Sequence, residues 1–98
     1  MRIAILALCL MLSVGSQAQT VIETPTQTQP TAFAIVIDNA TYRATRNAVM
    51  RYRDAIQQDG LATYIVRGDW KNPDEVKTDI TKVYQQATAL EGIVLVGD

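Results

Sequence analysis

Ninety-eight residues bound this chain to one domain, and nine Lys and Arg against ten Asp and Glu leave it close to neutral, a balance that favours neither nucleic acid nor an anionic membrane surface as a partner. There is no histidine, so the commonest general base and the commonest transition-metal ligand are both missing, and the single cysteine cannot form an intrachain disulfide.

Met1 to Ala18, MRIAILALCLMLSVGSQA, carries one positive charge at Arg2, an apolar run from Ile3 to Val14, and small residues at Ser16 and Ala18. This is the pattern of a secretory signal peptide cleaved after Ala18. The apolar run is shorter than the ~20 residues that a spanning helix requires, which argues against a membrane anchor. Cys9 lies inside the run, and Leu8 stands where a lipoprotein signal needs a small residue, so the exported chain is expected to contain no thiol. The implied location is secreted or periplasmic, within the cell envelope, with no stable membrane span after cleavage.

Gln19 to Thr31, QTVIETPTQTQPT, is rich in Thr, Gln and Pro without periodicity, the composition of an extended solvated linker. Folded structure is expected from residue 32 onward. AFAIVID, Ala32 to Asp38, is a short apolar run of the kind buried on both faces of a parallel sheet. LATYIVRG, Leu61 to Gly68, reads as a second strand and GIVLVG, Gly92 to Gly97, as a third.

Between the first two strands, Ala48, Val49, Tyr52, Ala55 and Ile56 recur at helical spacing and Gly60 supplies a stop. Between the second and third, Val76, Ile80, Val83, Tyr84 and Ala87 share one helical arc. The start of that helix is marked by Asn72 as cap, Pro73 at the first position and Glu75 three residues after the cap. Strand, helix, strand, helix, strand calls for two right-handed crossovers. The expected fold is α/β: a parallel three-stranded sheet in spatial order 2-1-3 with helices on both faces. The third strand, apolar yet left at an edge, makes the chain read as truncated.

Asp38 and Asp98 both stand at carboxyl ends of expected parallel strands, where sites form in such sheets, and are the best-placed carboxylates in the chain, although two isolated aspartates are more often turn or cap residues. The stretch after the first strand, DNATYR, has no glycine, which excludes a phosphate-cradling loop there. Arg43, Arg46, Arg51 and Arg53 lie outside the apolar arc and read as a solvated face. The tripeptide RGD at Arg67 to Asp69 falls where the second strand turns toward the next helix, so Gly68 serves the turn rather than adhesion. The sequon at Asn39 to Thr41 coincides with a helix start, where Asn39 or Thr41 can cap. Trp70 reads as a half-buried plug over the sheet edge.

The segments AFAIVIDNATYRATRNAVMRYRDAIQQDGLATYIV, NPDEVKTDITKVYQQ and GIVLVGD resemble the opening of the catalytic domain of gingipain-like cysteine peptidases. The matching marks are Asp59-Gly60-Leu61 and Leu95-Val96-Gly97-Asp98, and the resemblance covers residues 32–98. It implies the first part of a caspase-like α/β domain in a secreted cysteine-type endopeptidase acting on a protein or peptide substrate. The catalytic His and Cys of such enzymes follow later strands and have no counterpart here, so no residue of this chain is given a catalytic, cofactor-binding or metal-binding role, and no cofactor is expected. The family also places a sizeable prodomain between signal and catalytic domain, where this chain has only residues 19–31. A reading from another class is a small exported α/β binding or interaction module without catalytic function, docking through its uncovered sheet edges.

Overall fold

The computed structural model describes residues 20–97. The signal-like segment, Cys9 and Asp98 lie outside the described residues. In chain order the elements are β1 (Val21–Glu23), β2 (Thr31–Asp38), α1 (Asn39–Gln58), β3 (Leu61–Gly68), α2 (Pro73–Gln86) and β4 (Leu90–Val96).

β2 is the strand that organises the rest. It is parallel to β3 on one side, with Ile35 opposite Ile65 and Val36 opposite Val66, and parallel to β4 on the other, with Ile35 opposite Val94. A strand flanked on both sides and covered on both faces can only be apolar, and its even and odd positions feed separate cores. Ala32, Ala34 and Val36 join Ala62, Tyr64 and Val66 of β3 and Val83 and Ala87 under α2. Ile35 and Ile37 join Ile65, Tyr42 and Val49 under α1. The two helices therefore cover opposite faces of the sheet.

Where β4 pairs with β2 the register shifts, Ala32 facing Leu90 and Phe33 facing Gly92, so that Glu91 is the extra residue and stays exposed. Glycine at 92 is a close-approach requirement: a Cβ there would lie 2.7 Å from Phe33 Cε1.

The sheet corrects the expected three-stranded parallel one. It has four strands in the order β1-β3-β2-β4 and is mixed, because β1 runs antiparallel to β3, with Val21 opposite Arg67 and Glu23 opposite Ile65. Residues 19–31 are accordingly not a solvated linker throughout. Two adjacent aliphatic residues suffice to build β1: Ile22 reaches the α2-side core, while its neighbours pair with the end of β3. Proline-rich surroundings had masked it, since a three-residue strand is too short to show a period.

The segment is stitched down at three points. Thr20 donates its hydroxyl to Asp79 Oδ2 at 2.6 Å, Arg67 Nε pairs with Glu23 Oε2 at 3.0 Å, and Gln57 Nε2 donates to Thr26 Oγ1 at 2.8 Å.

The first helix also differs from its expected face. Of the five positions expected to face inward, Val49 is buried and Ile56 packs against the same core, whereas Ala48, Tyr52 and Ala55 are exposed and Asn39, Tyr42 and Gln57 are buried instead. Its cap is Asp38 rather than Asn39 or Thr41, since Asp38 Oδ2 accepts the Thr41 N–H at 2.9 Å. Thr45 leaves helical geometry, with φ −127° and ψ 24°, and its hydroxyl bonds the Thr41 carbonyl at 2.7 Å, the local competition that bends helices. The second helix starts as its sequence dictates: Asn72 Oδ1 accepts the Glu75 N–H at 3.1 Å, with Pro73 at the first helical position. Tyr84, expected on its inner arc, is 66% exposed. No helix among the described residues is long and apolar enough to cross a membrane.

Candidate functional site

Parallel strands deliver their carboxyl ends to one side of the sheet, and adjacent strands whose connections leave toward opposite faces open a crevice between them. β2 and β4 are adjacent parallel strands that bring their carboxyl ends together on that side, and α1 leaves β2 toward one face. At their carboxyl ends lies a cavity of about 460 Å³, walled by Val36 and Asp38 from β2 and by Leu95, Val96 and Gly97 at the end of β4. The wall is completed by Trp70, from the connection after β3, and Val76, from the first turn of α2.

Asp38 is the carboxylate that this arrangement brings to the cavity, as its position in the sequence led one to expect. Its chemistry is already committed. Oδ1 accepts the Thr41 hydroxyl at 2.6 Å while Oδ2 accepts the Thr41 N–H. The hydroxyl bond first, and the backbone bond next, hold this carboxyl below its ordinary value, so it remains ionised as a helix cap. Gly97, at φ +140°, presses its backbone against the same group: a Cβ at 97 would collide with Asp38 Oδ1. Each oxygen keeps a second lone pair, but a carboxyl held below its ordinary value is a weaker base toward a substrate proton. Asp98, the other aspartate singled out by position, is outside the described residues. The other side chains lining the cavity are aromatic and aliphatic, and they share the wall with the polar backbone of Gly97 and the Asp38 carboxylate.

The other motifs are absorbed by the fold. Arg67 of the RGD tripeptide pairs with Glu23, lies 4.6 Å over the Tyr42 ring, and donates to Asn39 Oδ1 at 3.4 Å. Asn39 of the sequon is thus buried beneath an arginine. Arg43, Arg46 and Arg51 are exposed, Arg46 bonding the Tyr42 hydroxyl at 3.4 Å, and Arg53 pairs with Asp54. Among the described residues no cluster of three or more metal-binding side chains occurs.

Sequence reasoning overlooked Asp79. It is only 6% exposed, on the buried stripe of α2 between Val76 and Val83. Burial pushes its carboxyl up, but hydrogen bonds from Thr20, Trp70 and Lys82, with the Lys82 charge, outweigh it and hold the group below its ordinary range. The signal was present: a lone carboxylate at an apolar helical position, nine residues after a tryptophan whose N–H needs an acceptor. No family model matches this chain, and neither a curated protein nor a solved structure matches it.

Proposed function

We propose that this chain is the N-terminal, scaffold part of a secreted gingipain-like cysteine endopeptidase domain. The observation that supports it best is the crevice at the carboxyl ends of β2 and β4. In this reading the parallel strands, ordered second, first, third, are the opening of a caspase-like sheet. Trp70, Val76 and Leu95 form one wall of a cleft for an apolar substrate side chain. Hydrolysis would need a thiolate paired with an imidazole. The chain has no histidine, and Cys9 sits in the signal-like segment, so by itself it is inert toward peptides.

The test is to incubate the purified protein with a fluorogenic peptide library under reducing conditions, beside the product of any reading frame that continues past Asp98. Hydrolysis confined to the longer product, and abolished by thiol alkylation, supports the proposal. Hydrolysis by the present chain overturns it, as does a continuing frame that lacks a His-Gly pair and a later cysteine. The exposure of Ile93, Leu95 and Val96 along β4 favours a second reading, an exported non-catalytic binding module. A genuine stop codon after Asp98, with no continuing frame that carries the His-Gly pair and a later cysteine, would favour it.

A further inference from the structure

One oxygen of Asp79 serves two parts of the chain that are otherwise separate. Oδ2 accepts the Thr20 hydroxyl at 2.6 Å and the Trp70 indole N–H at 2.7 Å, while Oδ1 faces Lys82 Nζ at 3.3 Å. The indole is also pressed against the end of β3, where a Cβ at Gly68 would come within 2.8 Å of its Cε2. Trp70 lines the cavity at the carboxyl ends of β2 and β4, and it lines as well a recess of about 290 Å³ shared with Thr20 and Asp79. The ring therefore borders both spaces, and its N–H is held by a carboxylate to which the N-terminal segment is also bonded.

We propose that residues 20–23 form a strap whose seating on Asp79 fixes the Trp70 wall, so that the strap and the occupancy of the cavity are coupled. With the strap seated, the carboxylate is kept from water and its bond to the indole is strong, because charge-assisted hydrogen bonds gain in a low-dielectric setting. Lifting Thr20 admits water to Oδ2, water competes for the carboxylate, and the indole is freed to turn. The coupling is reciprocal: an occupant that displaces the indole weakens the seat of the strap by the same free energy. Glu23, held by Arg67 at the other end of β1, secures the strap without touching the indole. None of this depends on the peptidase reading.

Trp70 is the sole tryptophan, so fluorescence excited at the red edge of the absorption band, where the four tyrosines do not absorb, reports on this ring alone. Thr20→Val removes the strap's hydroxyl at nearly constant volume, Thr20→Ser keeps it, and Glu23→Gln loosens the strap from a distance. Expected are a red shift of emission and easier quenching by acrylamide in Thr20→Val and in Glu23→Gln, with Thr20→Ser matching the parent and far-UV circular dichroism unchanged. Parental emission and quenching in a folded Thr20→Val overturn the proposal. Should that variant lose its fold, Glu23→Gln carries the test with the same two outcomes.

Discussion

Gln57 and Thr26 exchange hydrogen bonds in both directions: Gln57 Nε2 donates to Thr26 Oγ1 at 2.8 Å, and the Thr26 N–H donates to Gln57 Oε1 at 3.2 Å. A glutamine only 4% exposed near the end of α1 thereby closes the backbone of a segment that has no regular partner of its own. Replacing it with leucine keeps the bulk and removes both bonds, leaving the N–H of the exposed Thr26 to water. Gln57→Leu should destabilise the protein by about 0.5–1.5 kcal/mol in chemical denaturation, the net contribution of a hydrogen bond that water can replace in part. Limited proteolysis should cut residues 24–30 faster in the variant. Equal stability and equal cleavage would show that water replaces the side chain at no cost.

Acid should unfold the protein through two aspartates. Asp38, held down by the Thr41 hydroxyl and N–H, and Asp79, raised by burial but held down more strongly by Thr20, Trp70 and Lys82, both lie below their ordinary value of 3.8 when folded. A depressed folded-state value means stability that is fully present above 3.8 and is lost as pH falls below it through the folded-state values. Denaturation midpoints measured from about pH 5 down to about pH 2 should fall in the parent and fall less steeply in Asp79→Asn, which has no proton to bind. Identical slopes would remove Asp79 from this account.

Phe33 and Gly92 test the register of β4. Gly92→Ala forces a methyl group into the Phe33 ring and should cost about 1–3 kcal/mol by overpacking. In a Phe33→Leu background the same change should cost less, because the atom it meets has gone. Additive effects in the double-mutant cycle would mean that the two residues are not cross-strand neighbours.

The two sides of α2 make opposite predictions from the same periodic pattern. Val83 is 0% exposed and Tyr84 66% exposed, although both belong to the apolar arc read from the sequence. Val83→Ala should destabilise measurably through lost burial and the cavity left behind. Tyr84→Ala should stay within about 0.5 kcal/mol of the parent, as surface changes do. A large loss for Tyr84→Ala would bury that ring against something the fold does not show.

What could be read in advance was governed by range. The apolar runs of β2 and β3 and the cap at Asn72 are local, and the sequence alone located them. The inward face of α1 was not local. Val49 and Ile56 of the expected arc do face the core, but the face also includes Tyr42 and Gln57, whose polar ends find Glu23 and Thr26 in the N-terminal segment, and it leaves Ala48, Tyr52 and Ala55 outside. β1 could not be seen because its pairing depends on the end of β3 and not on its own pattern. Asp38 was legible by position, but its role was decided by Thr41, three residues on. Asp79 was hidden for the opposite reason: its partners Thr20 and Trp70 belong to no common motif.

The unequal margins of the sheet give it a direction. On one flank β1 offers only Val21–Glu23, fastened through Thr20 and Glu23, a stub too brief to template another strand. On the other flank β4 presents Leu90–Val96 with a single charge, Glu91, and exposed Ile93 and Leu95. Among the described residues the two margins of the sheet are thereby unequal: the β1 flank is short and fastened, and the β4 flank is the longer and more apolar of the two.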